Sequence, residues 1–494
     1  MSKLDTLRAI TFGSRIAEDE LDALESYFVE TEHWRKVISG DVDVVYGPKG
    51  SGKSAIYQLL RKKRDDLKAR DILPAAGETI RGTPAFELLV TDPPSSEEHF
   101  RGLWNLYFLS LVGSALRAYK IDNIYARRLI TTLDEAGLIT SGEWSPRRML
   151  RSVLDYVKRF DFTGEIKINP STGVPEGFSG KITLREPARD KVKLGYVSVD
   201  TLWKLFDEAL EDSRKRFWII LDRLDVAFAD STDLETNGLR ALFRVYRDLS
   251  ARKNIAVKIF LRDDIWARIT QGGFREASHV TRTLTITWDR QALLNLVVRR
   301  LLYNDAIRAR YHVESEIVLK STAEQEYLFY RVFPPQVDKG KGKSTTLDWL
   351  LTRTADGTGQ TAPRELIHLL SSARDEQIRL LEIGGSEPSG EALFDPIALK
   401  ASLPQVSKVR FEQTLCAEHP LLKPLLMALQ GKKTQQTPAT LARIWAVDEV
   451  EAMAKAQKLS EVGFFEKRGS REQPAFWVPF LYRDALQMVQ GVAK

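Results

Sequence analysis

Residues 47–54 read GPKGSGKS and fill the pattern G-x-x-x-x-G-K-[ST], and their flanks fix what this octapeptide joins. DVDVVY (41–46) is a short β-branched run of strand character, and SAIYQLLRKKRDDLKAR (54–70) carries apolar residues at helical spacing. A strand–loop–helix of this kind turns several backbone N–H groups toward one point, where the helix N-terminus adds its positive end. Gly47, Pro48, Lys49, Gly50, Ser51 and Gly52 are therefore expected to wrap a polyphosphate. Lys53 would reach its β- and γ-phosphates, and the Ser54 hydroxyl would hold Mg²⁺. ATP with Mg²⁺ is the expected ligand.

Composition narrows the setting. A chain of 494 residues, 43% of them hydrophobic, can bury large cores and divide into two to four domains. No run of 18 uncharged apolar residues exists, so no membrane-spanning helix is expected. The first residues, MSKLDTLRAITFG, lack the apolar stretch and cleavage site of a secretory signal. Cys416 is the only cysteine, which excludes an internal disulfide and a cysteine-based metal cluster; the six histidines are scattered. A cytoplasmic protein is the expectation. The formal charge of +6 is mild for this length, so the placement of positive charge matters more than its total.

The order of elements predicts an α/β protein: a three-layer P-loop core with a mostly parallel sheet, then a helical lid and a C-terminal winged-helix-like domain. The expected divisions are a helical segment at 1–40, the core at 41–310, the lid at 311–385 and the C-terminal domain at 392–494. PAFELLVTD (84–92), FWIILD (217–222), IAVKIFLR (255–262) and TLTITW (283–288) read as further strands. Helices are expected at 97–119, 198–216, 239–253 and 363–383, the last opening on Pro363. Alternating EIKI and KITL around a turn-rich stretch predict an inserted β-hairpin within 161–196.

The strand FWIILD ends on Asp222, followed by Arg223, Leu224 and Asp225. A carboxylate at the end of a buried strand downstream of such a loop is placed to orient the waters of Mg²⁺, a role that suits Asp222. Asp225 would polarise the attacking water.

This series of parts resembles the AAA+ and STAND branch of P-loop ATPases. IAVKIFLRDDIW (255–266) is similar to the sensor-1 strand, which implies that Arg262 watches the γ-phosphate. GQTAPRELIHLL (359–370) is similar to the sensor-2 helix, which implies that Arg364 contacts nucleotide from the lid. The chain also resembles a group of bacterial P-loop ATPases with the same type of loop, an LD-x-LD strand end and an LR-x-DIW sensor strand, over roughly residues 34–380. It departs from the motor pattern, because Asp222-Arg223 stands where AAA+ motors carry Asp-Glu. The resemblance to STAND proteins implies a slow nucleotide switch. Arg223, Arg275 and Arg282 are alternative candidates for an arginine acting on a neighbouring subunit.

Residues 419–486 follow a winged-helix plan, with Lys467, Arg468 and Arg471 at the wing tip. The helix in the recognition position opens on Asp448, Glu449 and Glu451, which oppose close approach to phosphates. Self-assembly or an effector protein is therefore the preferred partner, and nucleic acid the less favoured one. Three readings stand. The first is a slowly hydrolysing, nucleotide-switched regulatory ATPase, with a bacterial anti-phage or mobile-element role implied by the resemblance alone. The second is an initiator- or loader-like DNA-binding ATPase, and the third a scaffold that keeps ATP as a structural ligand.

Overall fold

The computed structural model describes residues 1–14, 19–20, 24–78, 85–91, 96–139, 145–159, 182–183, 186–193, 195–224, 232–271, 273–470 and 473–493. They pack as two bodies, one of residues 32–48 and 53–286, the other of residues 1–31, 49–52 and 287–494.

The first body is built on strands β1 (Val44–Gly47), β2 (Ile72–Ala76), β5 (Arg216–Leu221), β6 (Ile255–Arg262) and β7 (Thr283–Thr285), with a short pair β3 (Ile182–Thr183) and β4 (Val197–Ser198) apart from them. The main sheet runs β2-β5-β6-β1-β7, and every neighbouring pair is parallel. Parallel strands need crossover connections, and helices such as Lys53–Lys62, Val199–Ser213 and Thr232–Ser250 supply them. Every residue of β1, and Phe217 to Leu221 of β5, is buried, as a sheet covered on both faces requires.

The second strand is a correction. PAFELLVTD, expected to be a strand, is a 3₁₀ turn at Ala85–Glu87 running into a short helix, Leu88–Thr91. The strand is ILPAA instead, with Pro74 inside it, and it lies at the sheet edge. Proline removes one ladder donor, which an edge tolerates and a central strand does not. The expected helix over 54–70 is likewise two pieces, Lys53–Lys62 and Arg64–Ala69. The expected hairpin falls largely on residues 160–181, outside the described ones.

A buried charge cluster holds the strand that leads into the loop. Asp43, 4% exposed and next to β1, accepts from Lys258 of β6 at 2.8 Å and pairs with Arg282 at 2.8 Å. Lys258 lies over the Trp218 ring, 4.4 Å from its centroid. Burial pushes the Lys258 ammonium down, and the Asp43 charge opposes that shift.

The second body is helical up to residue 427 and then adds a four-stranded sheet. Its strands are β8 (Lys433–Gln436), β9 (Glu466–Gly469), β10 (Pro474–Trp477) and β11 (Val489–Val492), in the order β11-β8-β10-β9. Between β8 and β9 lie helices Pro438–Trp445 and Glu449–Glu461, which completes the winged-helix plan. Thr437 caps the first of these with Pro438 behind it, and Asp448 caps the second. Helix Pro363–Glu382 matches the expected span to within a residue at its end. Phe464, Phe465, Phe476 and Tyr482 form the aromatic centre of the C-terminal part.

Candidate nucleotide-binding site

The loop leaves β1 at Gly47 and enters a helix at Lys53. Gly50 (φ +84°) and Gly52 (φ +101°) hold left-handed backbone, which residues with a Cβ adopt only at a cost. The Lys53 ammonium donates to the carbonyls of Gly47 (2.7 Å) and Pro48 (2.9 Å), so the cation is folded over its own loop. Ser54 follows in the first turn of the helix.

On the sheet side of the site, Gly47 is in register with Arg262, so β6 ends directly beside the loop. The strand carrying Arg262 therefore lies between the loop strand and β5, whose end carries Asp222. Asp222 is 4% exposed. Its charge helps burial push up the hydroxyl of Tyr57, which lies one turn beyond Ser54, so the carboxylate belongs to the neighbourhood of the loop helix. Arg223 behind it is left-handed at φ +60°, an uncommon conformation for arginine and a sharp exit from the strand. Asp225 lies outside the described residues.

Arg262 has its guanidinium held by the carboxylate of Asp264, through Nε at 2.9 Å and Nη2 at 2.8 Å. The next residue, Asp263, is one that sequence reasoning passed over. Burial and the neighbouring Asp264 push its carboxyl up, while the Lys53 ammonium pulls it back, so an acid stands within electrostatic reach of the loop lysine. Its signal in the sequence is the doubled acid of LRDD, directly after Arg262.

Loop residues 49–52 pack with the second body. A Cβ placed on Gly50 would meet the Cβ of Arg364 at 3.0 Å and that of Ala362 at 3.5 Å. The helix that opens on Pro363 thus sets its first turn against the loop. Trp288 donates its indole N–H to the Ser51 carbonyl at 2.8 Å, and Lys49 pairs with Glu418. Among the other arginines, Arg282 belongs to the Asp43 cluster and Arg275 opens a 3₁₀ turn, Arg275–His279.

At the wing, Arg468 is paired with Glu466 through two hydrogen bonds, 2.7 and 2.9 Å, and stacks over Trp477. Lys467 is exposed, and Arg471 lies outside the described residues. Among the described residues no group of acids, histidines and cysteines forms a protein-only metal site, and no helix is long and apolar enough to cross a membrane.

No family model matches this chain, and no curated protein matches its sequence. Among solved structures, the Aeropyrum pernix ORC1 protein in complex with DNA aligns over 96% of this chain and 96% of its own, at 12% identity and a TM-score of 0.37. The Aeropyrum pernix ORC2 protein, in ADPNP–ADP complexes, aligns over 92% of this chain and 90% of its own, at 12% identity and a TM-score of 0.31. Likenesses of this strength carry no functional argument. The P-loop α/β fold rests on the parallel sheet and the loop geometry.

Proposed function

We propose that this chain binds ATP with Mg²⁺ at loop 47–54 and hydrolyses it slowly, using the nucleotide state to control self-assembly or a partner protein. One observation carries the reading. Two left-handed glycines and a lysine that heads a helix stand at the carboxyl end of a central parallel strand, where α/β sheets bind their ligands. The lysine is already bent over the loop carbonyls, and phosphate oxygens would take their place as acceptors.

Mg²⁺ prefers hard oxygen ligands and retains several waters, which suits a serine hydroxyl and one carboxylate. Ser54 and the buried Asp222 would hold it, and the ion would neutralise charge on the phosphate oxygens. Arg364, at the start of the helix that meets Gly50, is assigned to nucleotide sensing. Arg262, tied to Asp264, would respond to the γ-phosphate only by leaving that pair, which suits a slow switch better than a fast motor. The arginine following Asp222, in place of a glutamate, supports the same conclusion. An anti-phage or mobile-element role is carried by the sequence resemblance alone.

Initiator- or loader-like DNA binding is the second reading, and the winged-helix plan supports it. Against it, Arg468 is neutralised by Glu466, and the helix in the recognition position begins with Asp448, Glu449 and Glu451. Calorimetry and turnover separate the readings. Lys53→Ala should lose most ATP affinity, and unchanged affinity would remove the loop assignment. Duplex DNA should bind weakly at physiological salt and leave turnover unchanged. Tight binding that falls steeply with salt, together with DNA-stimulated turnover, would establish the loader instead.

A further inference from the structure

The second body contains a buried charge that the nucleotide reading does not use. Glu365, next to Arg364 on the helix that meets the loop, is 5% exposed. Its Oε1 accepts from Arg410 Nη1 at 2.9 Å. Its Oε2 is buried without a hydrogen-bond partner and lies 3.5 Å from the position a Cβ on Gly50 would take. A carboxylate is therefore aimed at the glycine of a loop whose proposed ligand carries several negative charges. A carboxylate on this side of the loop would repel a polyphosphate held there, the more so in a poorly solvated site.

Arg410 offsets that repulsion. Its side chain is 12% exposed, and it reaches Glu365 from a different helix, Leu403–Arg410. The same guanidinium lies 3.9 Å from Asp356 Oδ2, so two acids share one cation and Glu365 is only partly compensated. Asp356 is not free to drift. The N–H of Gly357 donates to the Gly463 carbonyl at 2.6 Å, and a Cβ on Gly357 would come within 2.5 Å of the Phe465 carbonyl oxygen. Gly463 joins helix Glu449–Glu461 to β9, so the turn that carries Asp356 is held against the C-terminal sheet region.

We propose that Arg410 is a positioning residue for the phosphate loop, acting through Glu365: it partly offsets the charge of the carboxylate that faces Gly50, and so tunes nucleotide affinity without touching phosphate. The inference rests on the loop binding ATP. It deepens that reading by naming a group that tunes the site without touching phosphate.

The test is calorimetric titration of the full chain with ATP and Mg²⁺, with thermal melts on every variant. Arg410→Gln should weaken binding by about tenfold, because Glu365 is left buried and uncompensated beside the loop. Adding Glu365→Gln to it should restore binding, and Arg410→Lys should retain most of it. A merely structural role would give no such rescue. Should Arg410→Gln fail to fold, Glu365→Gln alone decides the matter: with Arg410 in place and the negative charge gone, affinity should rise. Parental affinity in Glu365→Gln, or a double variant no better than Arg410→Gln, would overturn the assignment of Arg410 alone. Parent protein that binds no ATP would overturn the nucleotide reading itself.

Discussion

Gly50 of the phosphate loop and Arg364 of helix Pro363–Glu382 are in contact to the point that a single added methyl group would sit 3.0 Å from the arginine Cβ. The loop and the first turn of that helix therefore share a boundary so tight that a Cβ on Gly50 would have to push its neighbour back by a few tenths of an ångström. Gly50 also holds φ +84°, so two independent constraints act on one position.

Gly50→Ala accordingly tests both at once. The left-handed conformation alone disfavours alanine by about 1–2 kcal/mol, before any steric overlap. A loop that relaxes out of this conformation in the unliganded variant must be re-formed on binding, so ATP affinity should fall by about tenfold, since about 1.4 kcal/mol corresponds to one decade. Parental affinity would mean that this contact plays no part in shaping the loop.

Asp222→Asn keeps the shape of the side chain and removes its charge. Binding measured with Mg²⁺ should drop toward the value measured with EDTA, while Mg²⁺-free binding through Lys53 should persist. A variant whose Mg²⁺ dependence equals that of the parent would take Asp222 out of the metal's surroundings.

Asp263 offers a pH-dependent test. Burial and Asp264 hold its carboxyl above the ordinary aspartate range, so it protonates earlier than usual as pH falls. Protonation removes a negative charge near Lys53, so nucleotide affinity should rise as pH falls through this titration. Asp263→Asn should bind at least as tightly as the parent at neutral pH and lose that acid-side gain. Weaker binding by the variant at neutral pH would contradict the electrostatic account.

The Asp43 cluster predicts a stability effect with no direct part in binding. Lys258 is 1% exposed and relies on Asp43 and the Val42 carbonyl. Asp43→Ala leaves that ammonium buried without its counter-charge, which destabilises by about 3–5 kcal/mol. Denaturant titration should show the midpoint falling accordingly. A shift equivalent to less than about 1 kcal/mol would place the pair among the weak, solvated ones.

The sequence alone determined the loop, the strand before it and the helix after it, because glycine spacing, β-branched runs and helical periodicity are local properties. It also determined the buried strands that end at Asp222 and Arg262, whose apolar runs have few alternatives, and the winged-helix order, which caps and turn residues mark out. The edge strand ILPAA was not legible. Its proline argues against a strand until the sheet order shows that it lies where a missing donor does no harm. PAFELLVTD has strand composition but folds as a helical turn, because tertiary packing overrides a propensity worth at most about 1 kcal/mol. The approach of Asp263 to Lys53 and the Glu365–Arg410 pair beside Gly50 were decided by tertiary structure alone. Charged side chains carry no periodic signal of their partners. What each of them does follows from which chain segments the fold brings within a few ångströms, and those segments are far apart in sequence.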